Sequence, residues 1–407
     1  MKPNLIFISH VIPLERSSGQ KQRVFHMIKE ARKNFRVVFL TVSEREKVKT
    51  VRFEMEKIVD KCIVLPALSQ NSPVIQLWNY IKANIYTFRT GLKSSNFYIS
   101  EIELTESRIK KALNNINIDI VIYEYWHAWR SIGCFKELGI PTVLDMHDIL
   151  SNAYQGQLEQ KKWLTKSLRR RFLNQYITEE HTAWSSFDGL VAINRLELEE
   201  VKNIAKNETT FFCPMGVDLN QWEYAYQPER PARFGFYGGL GGKVNQRQAL
   251  YSYQKIIPIV WEQIPDAEFW FIGSKPSEDI QKIPLTDSRV KVTGYVEDIR
   301  SILTRMTAIF CPWEGVFGFR SRIIEVMALG VPVISSPDGV AGMGLEESQG
   351  IFLADSPSDF ARIAINLSEN PIIAMKQGYL ARQTIEENFS LEATYGKLFK
   401  DLFLWLT

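Results

Sequence analysis

Short apolar segments rich in β-branched and aromatic residues alternate with helical patterns along almost the whole chain. The first half begins with a strand pattern over residues 5–9, a helical pattern over 20–32 and a second strand pattern over 36–42. Strand, helix and strand in this order form a βαβ unit, which builds a parallel sheet covered by helices. Further strands are predicted at 62–65, 118–123, 142–145 and 189–193.

A second series of the same kind follows the proline-containing connector at 227–231. At 407 residues the chain is long enough for two cores. The patterns predict an α/β protein with two Rossmann-like domains that face an interdomain cleft: an N-terminal domain over 1–218, completed by a C-terminal helix over 388–407, and a C-terminal domain over 219–387. The strands of the second domain are predicted at 234–237, 268–272, 290–293, 308–311, 332–335 and 350–353, and its helices at 246–262, 298–305, 321–329 and 358–367.

Composition excludes several classes of function. A net charge of +3 from 49 basic and 46 acidic residues gives no basic excess of the kind that marks nucleic-acid-binding proteins. The four cysteines have no paired spacing, so neither a metal site nor a redox motif is predicted. No apolar run reaches the roughly 18 residues needed to span a bilayer, and the N-terminus lacks a signal-peptide pattern. We expect a cytoplasmic protein, with peripheral membrane contact at most.

The segment 317–332 combines features of a nucleotide site. A loop with Gly318 leads into a predicted helix, whose N-terminus favours an anion, and Arg320 and Arg322 add positive charge there. Glu325 lies one turn beyond Arg322, where its carboxylate can accept hydrogen bonds from ribose hydroxyls. The spacing predicts a nucleoside diphosphate site, with Phe319 and Ser321 also lining it.

The residues 325–334, Glu-Val-Met-Ala-Leu-Gly-Val-Pro-Val-Ile, resemble the "EAMA-x-G-x-PVI" signature of glycosyltransferase family 4. The segments 213–218, 236–245, 265–273 and 290–298 resemble further motifs of that family, in order and at plausible intervals. The resemblance covers nearly all of the second half. It implies a GT-B fold, a nucleotide diphosphate-sugar as donor, and transfer of a hexose-type sugar with retention to a glycan, lipid-linked or small-molecule acceptor in polysaccharide or glycoconjugate biosynthesis.

The resemblance also assigns roles in the second half. Lys243 and Arg322 stabilise the departing diphosphate, so no metal or other cofactor is required. The glycine turn at Gly239, with Asn245 after it, binds the donor, and Val296 lies along the nucleobase. Many relatives carry a glutamate where this chain has Phe317. That difference leaves open a second hypothesis, a non-catalytic GT-B subunit that binds a nucleotide sugar or a glycan.

Candidate residues of the first half follow predicted strands, where ligands of open parallel sheets bind. Gly19 and Arg23 reproduce the "G-x-x-x-R" of relatives, with Gly19 near the donor. His147 follows the strand at 142–145, and retaining relatives place a histidine here against the donor sugar. We predict His147 as catalytic, and Glu124 and His127, after another strand, at the acceptor. His10 is the candidate base if the enzyme is instead inverting.

Two features remain ambiguous in the sequence. The basic helical pattern over 160–172, with its cations in 161–171, fits either an anionic membrane surface or a solvated helix face. The aromatic residues Trp78, Tyr80, Tyr86 and Phe88 fit either a core or an acceptor cleft. Among enzymes of similar fold, a nucleotide-sugar 2-epimerase and an inverting transferase are disfavoured by the 325–332 signature. A dinucleotide-dependent oxidoreductase is disfavoured because no G-x-G-x-x-G follows either first strand.

Overall fold

The computed structural model of the chain describes residues 2–15, 18–69, 72–205, 209–315 and 318–406. The chain divides into two compact units. The first unit is Met1–Pro214 together with Thr394–Thr407, and the second is Met215–Ala393. The second unit is thus inserted between the main part of the first unit and that unit's last helix.

The first unit contains a seven-stranded parallel sheet. Its strand order is β3-β2-β1-β4-β5-β6-β7, so that β1 pairs with both β2 and β4. Nearly continuous apolar runs form the central strands because helices cover both faces of a parallel sheet. The strands are β1 (Asn4–Ile8), β2 (Arg36–Ser43), β3 (Lys61–Pro66), β4 (Ile120–Glu124), β5 (Thr142–Asp145), β6 (Gly189–Ala192) and β7 (Thr209–Phe212).

The helices of the first unit begin at recognisable caps. Ser18 and Thr165 each accept a hydrogen bond from a backbone N–H of the first turn that follows. The helices before the second unit are α1 (Gly19–Asn34), α2 (Val48–Met55), α3 (Pro73–Thr90), α4 (Ser94–Phe97), α5 (Glu106–Leu113), α6 (Gly133–Lys136), α7 (Leu150–Gln160), α8 (Lys166–Trp184) and α9 (Arg195–Ile204).

Two predictions for the first unit are corrected. The single helical pattern predicted over 160–172 is interrupted, because α7 ends at Gln160 and α8 begins only at Lys166, after the N-cap Thr165. The strand β7 was not predicted. It has only four residues and lies at the edge of the sheet, where a strand needs little apolar sequence to be held in place.

The second unit contains a six-stranded parallel sheet with the order β10-β9-β8-β11-β12-β13. With β8 taken as the first strand, this is the 3-2-1-4-5-6 order of a Rossmann fold, and the first unit has the same order with a seventh strand added. The strands are β8 (Arg233–Tyr237), β9 (Glu268–Ile272), β10 (Val290–Gly294), β11 (Ala308–Cys311), β12 (Val333–Ser335) and β13 (Ile351–Leu353).

One predicted helix of the second unit is divided. The pattern over 246–262 becomes two α-helices separated by a π-helical turn at Ser252–Ile256, and Pro258 lies in the first turn of the second helix. Proline has no backbone N–H to continue the hydrogen-bond ladder, which accounts for the break. The helices are α10 (Lys243–Tyr251), α11 (Ile257–Gln263), α12 (Glu278–Lys282), α13 (Arg300–Leu303), α14 (Ser321–Ala328), α15 (Pro337–Val340), α16 (Pro357–Glu369) and α17 (Pro371–Asn388).

The last helix, α18 (Lys397–Leu406), belongs to the first unit. Phe399 is fully buried, and its ring meets the rings of Phe7 on β1 and Phe35 after α1, both at 6.2 Å between centroids. The helix therefore completes the core on one face of the first sheet.

The strand order places a topological switch point in each unit, where neighbouring strands lead to helices on opposite faces. The switch lies between β1 and β4 in the first unit and between β8 and β11 in the second. Such points form a crevice beyond the carboxyl ends of the strands and are the usual ligand sites of open parallel sheets. Within the described part of the chain, no helix is long and apolar enough to cross a membrane.

Candidate active site

In the second unit, three side chains converge at the switch point. Tyr237 ends β8, and its hydroxyl lies 3.3 Å from Oε2 of Glu325 on α14. The guanidinium of Arg322, one turn before Glu325, lies over the Tyr237 ring at 5.4 Å from the centroid. Arg322 is exposed and Glu325 is buried, so the carboxylate forms the floor of the site and the cation its rim.

The glycine-rich loop after β8 lies beside these residues. Asn245 donates a hydrogen bond of 2.8 Å to the Gly239 carbonyl, and Nη2 of Arg322 would lie 3.7 Å from a Cβ placed on Gly239. The structure thus brings Gly239, Asn245, Arg322 and Glu325 together. Lys243 is the exposed first residue of α10 and follows the same loop. Its position at a helix start beside the glycine turn is suited to an anion.

Close packing of backbone fixes this loop. Gly273, at the end of β9, has φ +144°, and a Cβ at that position would lie 1.8 Å from the Gly238 carbonyl oxygen. No other residue type fits there without moving the loop. The Leu240 N–H also donates to the Ser274 carbonyl at 2.9 Å. The glycine turn is therefore held against the neighbouring strand end before any ligand binds.

Burial controls the protonation of Glu325. Removal from water raises the pKa of this carboxyl to about 7, against the opposing effects of Arg322 and of the Tyr237 hydrogen bond. A buried carboxyl with two polar neighbours, facing the end of a strand from a helix, is a typical ligand-binding group. The cost of keeping it charged suggests a function beyond folding.

The loop before α14 is built around other contacts. Arg320 donates 2.7 Å to the Gly315 carbonyl and lies 5.0 Å from the Trp313 ring centroid, so the contacts described for it hold the loop. The Gly315 N–H donates to Asp338 at 2.7 Å. Gly318 has φ +64°, which favours glycine. Phe317, the position at which many relatives have a glutamate, lies outside the described residues.

Three other predicted donor residues differ in how close they lie to the group of Tyr237, Arg322 and Glu325. Ser321 begins α14, and the ring of Phe319 packs against Phe389 at 6.1 Å. Val296 lies two residues after β10, which is separated from β8 by β9. At about 4.8 Å per strand, that places Val296 roughly 10 Å to the side of the switch point.

In the first unit, two strained residues stack at the switch point. Tyr125 follows β4 with φ +67°, and His147 lies just after β5 with φ +60°. Positive φ is unfavourable for such side chains and is found mainly where function or packing imposes it. Their rings are parallel within 10° at 4.1 Å between centroids. Their backbone conformations place both rings over the ends of these two strands.

His147 is held by two carboxylates, and a buried arginine neutralises one of them. Its Nε2 hydrogen-bonds Glu124 and lies 3.2 Å from Oδ2 of Asp145. Arg23 makes two hydrogen bonds to Asp145, of 2.7 and 2.6 Å, and donates 3.0 Å to the Cys213 carbonyl. Arg23 and Asp145 are completely buried. Arg23, named in the sequence only as part of the "G-x-x-x-R" pattern, therefore serves in this network.

Acidic groups outnumber cations in this cluster. Burial disfavours the charged form of Asp145, but the neighbouring Arg23 outweighs this effect and holds the pKa of Asp145 below its usual value. Burial, and next the charge of Asp145, raises the pKa of Glu124. Nearby, burial and the hydrogen-bonded Asp148 raise the pKa of Glu197 to about 10. The site thus retains protons on carboxyl groups near neutral pH.

The predicted acceptor residues belong to the same cluster. Glu124 is buried, and within the described ranges its Oε1 has no hydrogen-bond partner. The ring of His127 lies 5.6 Å from that of Tyr125 and 5.4 Å from that of His10. Burial, with the charge of His147 second, lowers the pKa of His10 to about 4. His10 is thus neutral at physiological pH. Gly19 begins α1, and a Cβ there would meet no described atom within 4 Å.

A cavity of about 520 Å³ opens beside His10 at the carboxyl ends of β1, β2 and β3. Ser43, Lys47 and the buried Glu103 supply polar groups. Apolar side chains cover much of the remaining wall, among them Ile12, Leu14, Val42, Val51, Ile99 and Leu104. The cavity can therefore hold a molecule with both hydroxyl groups and an apolar part.

A cation is a further possible ligand of the first unit. One ligand atom from each of Glu124, Asp145 and His147 lies within 4.8 Å of the others. Both oxygens of Asp145 already accept hydrogen bonds from Arg23, however, and that positive charge would repel a metal ion. The donor set fits an ion-paired hydrogen-bond network better than a metal centre.

Comparison with known proteins identifies the fold of the chain and the family of a domain in its second unit. Residues 231–370 match the family described as Glycosyl transferases group 1. An "Uncharacterized 44.6 kDa protein in cps region" of Klebsiella pneumoniae is 21% identical over 314 residues, covering 73% of this chain and 77% of the relative. Sucrose-phosphate synthase of Thermosynechococcus elongatus superposes with a TM-score of 0.66 at 15% identity, over 99% of this chain and 100% of that one. Anabaena HepE in complex with UDP and glucose gives 0.59 at 13% identity, over 99% and 100%.

These likenesses extend over the full length of both solved chains and confirm the predicted GT-B fold of two Rossmann-like domains. The family match places a group 1 glycosyltransferase domain in the second unit, over residues 231–370, as the signature at 325–334 indicated.

Sequence reasoning did not select several residues that shape the two sites. Tyr237 was part of a quoted motif but had no role, and Tyr125, Asp145 and Trp313 had none either. All four end a strand or follow one within two residues. A search of every strand end for polar and aromatic side chains would have found them.

Proposed function

We propose that the chain transfers a sugar from a nucleotide diphosphate-sugar bound by the second unit. The observation that carries the proposal is the convergence of buried Glu325, Tyr237 and Arg322 at the switch point of a group 1 domain. In the proposed complex, Glu325 accepts hydrogen bonds from the ribose hydroxyls. Arg322 and Lys243 bind the diphosphate, and Gly239 allows its close approach. The complex of HepE with UDP and glucose supports this class of donor.

The proposed reaction exchanges one bond at the anomeric carbon for another. The bond from that carbon to the diphosphate oxygen breaks, and the bond to the acceptor oxygen forms on the same face. The configuration is retained because the new bond forms on the face that the diphosphate leaves. The acceptor hydroxyl proton passes to the departing diphosphate, so the protein supplies no base. Arg322 and Lys243 stabilise the charge that develops on the diphosphate, which makes a metal ion unnecessary.

We assign the first unit to the sugar and the acceptor. His147, held by Glu124, is proposed to contact the donor sugar, and its neighbours His127 and Glu124 to line the acceptor. The cavity beside His10 supports an acceptor that combines hydroxyl groups with an apolar part, as a lipid-linked glycan does. The relative from a cps region supports a place in cell-surface polysaccharide synthesis. We propose that the enzyme works in the cytoplasm at the inner membrane face.

A donor panel tests the proposal. The protein is incubated with UDP-, GDP-, ADP- and dTDP-sugars, and release of free sugar and nucleoside diphosphate is followed. One nucleotide class should be hydrolysed slowly, and Arg322→Ala should reduce that rate strongly. Binding of a donor without hydrolysis or transfer to any acceptor would instead favour the non-catalytic subunit. Failure to bind any of the four classes would refute the proposal.

A further inference from the structure

The helix α3 exposes its apolar side chains to solvent, in contrast to an ordinary surface helix. Such helices turn an apolar stripe toward the protein and polar residues toward water. In α3, all of which is described, Ala83 is the only buried residue. Eight large apolar side chains are exposed, with 74% of Val74, 62% of Leu77 and 60% of Phe88 accessible. They are Val74, Ile75, Leu77, Trp78, Tyr80, Ile81, Ile85 and Phe88.

The exposed residues form a continuous stripe. At about 100° per residue, six of them fall within an arc of roughly 100°. Ala83 lies on the opposite side, near the half-buried Asn79, Tyr86, Thr87 and Thr90. The helix therefore packs its small and polar side against the unit and presents its apolar side outward. An apolar surface of this extent is characteristic of a binding face. The six are Val74, Leu77, Trp78, Ile81, Ile85 and Phe88.

Positive charge accompanies the stripe. Lys82 and Arg89 lie along its border, with the Lys82 ammonium 5.9 Å from the Trp78 ring centroid. Neither residues 72–93 nor residues 160–171 contain an aspartate or a glutamate. A face that combines aromatic and aliphatic side chains with lysine and arginine, without acids, has the composition of a helix lying in the surface of an anionic bilayer.

A second basic segment adjoins the end of α3. The ring of Phe88 meets that of Phe172 on α8 at 6.4 Å, and Gln175 donates 3.4 Å to the Arg89 carbonyl. These contacts hold the end of α3 against α8 about two turns beyond Lys166. Trp163, just before α8, is 80% exposed. The exposed cations of this segment are Lys161, Lys162, Lys166, Arg170 and Arg171.

We propose that α3 docks the protein on an anionic lipid surface, with the apolar stripe in the headgroup region and the cations of α3 and of 161–171 against the lipid phosphates. A second copy of the chain is the other conceivable partner. Pairing of α3 with itself would bring like charges together across the interface, whereas an anionic bilayer attracts all of them. The charge pattern therefore selects the membrane.

Vesicle flotation with the full chain tests this inference. The probe is a vesicle of phosphatidylcholine with phosphatidylglycerol, compared with one of phosphatidylcholine alone. The protein should float only with the anionic vesicle, and less at high salt. The double variant Trp78→Glu/Ile85→Glu should bind at least roughly tenfold more weakly. The control is Leu285→Glu/Ile372→Glu, which introduces the same charge at two apolar residues of the second unit that are more exposed than Trp78 and Ile85.

The outcomes separate the alternatives. Absence of flotation by the unaltered protein, or equal loss in the two double variants, would overturn the inference. So would a dimer in light scattering that the α3 variant converts to a monomer without a change in vesicle binding. Donor hydrolysis in the absence of vesicles should be the same in all three proteins. A failure of membrane docking can therefore be distinguished from a failure of the proposed activity.

Discussion

Replacing Glu325 by glutamine should stabilise the second unit while weakening nucleotide binding. A carboxyl whose pKa rises from 4.5 to about 7 on folding favours the folded state only in its protonated form. The stability that the protonated carboxyl contributes is fully present below pH 4.5 and is lost as the pH rises through 7. At 1.36 kcal/mol per pH unit, ionisation of Glu325 lowers the free energy of unfolding by about 3 kcal/mol at pH 8 and by about 1 kcal/mol at pH 5.

Glutamine keeps the acceptor for the Tyr237 hydroxyl and removes the charge. The variant should therefore exceed the unaltered protein in free energy of unfolding by about 3 kcal/mol at pH 8, and by much less at pH 5. Urea titration monitored by tryptophan fluorescence at the two pH values measures this. Glu278→Gln, at a glutamate that is almost fully exposed on α12, is the control and should show no such dependence. Lower stability of Glu325→Gln at pH 8 would refute the burial argument.

The same substitution tests the function of the carboxylate. A hydrogen bond to a charged group contributes roughly 1.5–3 kcal/mol, so affinity for the nucleoside diphosphate should fall about 10- to 100-fold. Calorimetry with UDP, GDP, ADP and dTDP in turn measures it. A variant that is both more stable and weaker in binding would show that the buried charge is kept for the ligand. Unchanged affinity would remove Glu325 from the ribose site.

Three further substitutions probe the two units. Arg322→Gln should lower kcat/KM for donor hydrolysis roughly 100-fold, because a cation that stabilises the departing diphosphate is lost. Glu124→Gln should lower kcat for transfer by at least about tenfold and leave nucleotide affinity unchanged, because Glu124 holds His147 and lies outside the unit proposed to bind the nucleotide. Arg23→Met should destabilise the first unit by roughly 3–5 kcal/mol, because Asp145 would stay buried without its partner.

Each of these experiments has a control variant or a second measurement that separates the alternatives. Arg247→Gln, at an exposed arginine on α10, should not affect hydrolysis as Arg322→Gln does. For Glu124, an equal loss of nucleotide affinity and of transfer would indicate general disruption. For Arg23, the double variant Arg23→Met/Asp145→Asn should recover much of the stability, since it removes both charges. Without such recovery, the ion pair is not the source of the loss.

The sequence predicted most strands, and with them the strand ends that carry the candidate sites, because buried strands of a parallel sheet leave nearly continuous apolar runs. The pattern over 308–311, for example, coincides with β11. It could not predict pairing between distant residues. Arg23 and Asp145 are 122 residues apart, and only the fold shows that Arg23 serves this carboxylate. The positive φ angles of Tyr125 and His147 also leave no mark in the residue types.

The exposed apolar side of α3 shows a second limit of what the sequence can predict. Its apolar period identifies a helix with one apolar side, but periodicity does not say whether that side meets protein or solvent. The sequence therefore left a core and an acceptor cleft as alternatives for Trp78 and Phe88. The structure shows both side chains exposed, and the small residue Ala83 buried instead.

The return of α18 to the first unit has a consequence for synthesis of the protein. Domains generally fold as units while the chain emerges from the ribosome. Here the 179-residue second unit, Met215–Ala393, is complete before the first unit receives Lys397–Leu406. Until then, the faces of Phe7 and Phe35 that Phe399 covers stay open to water. The half of the protein that is made first is therefore the half that is finished last.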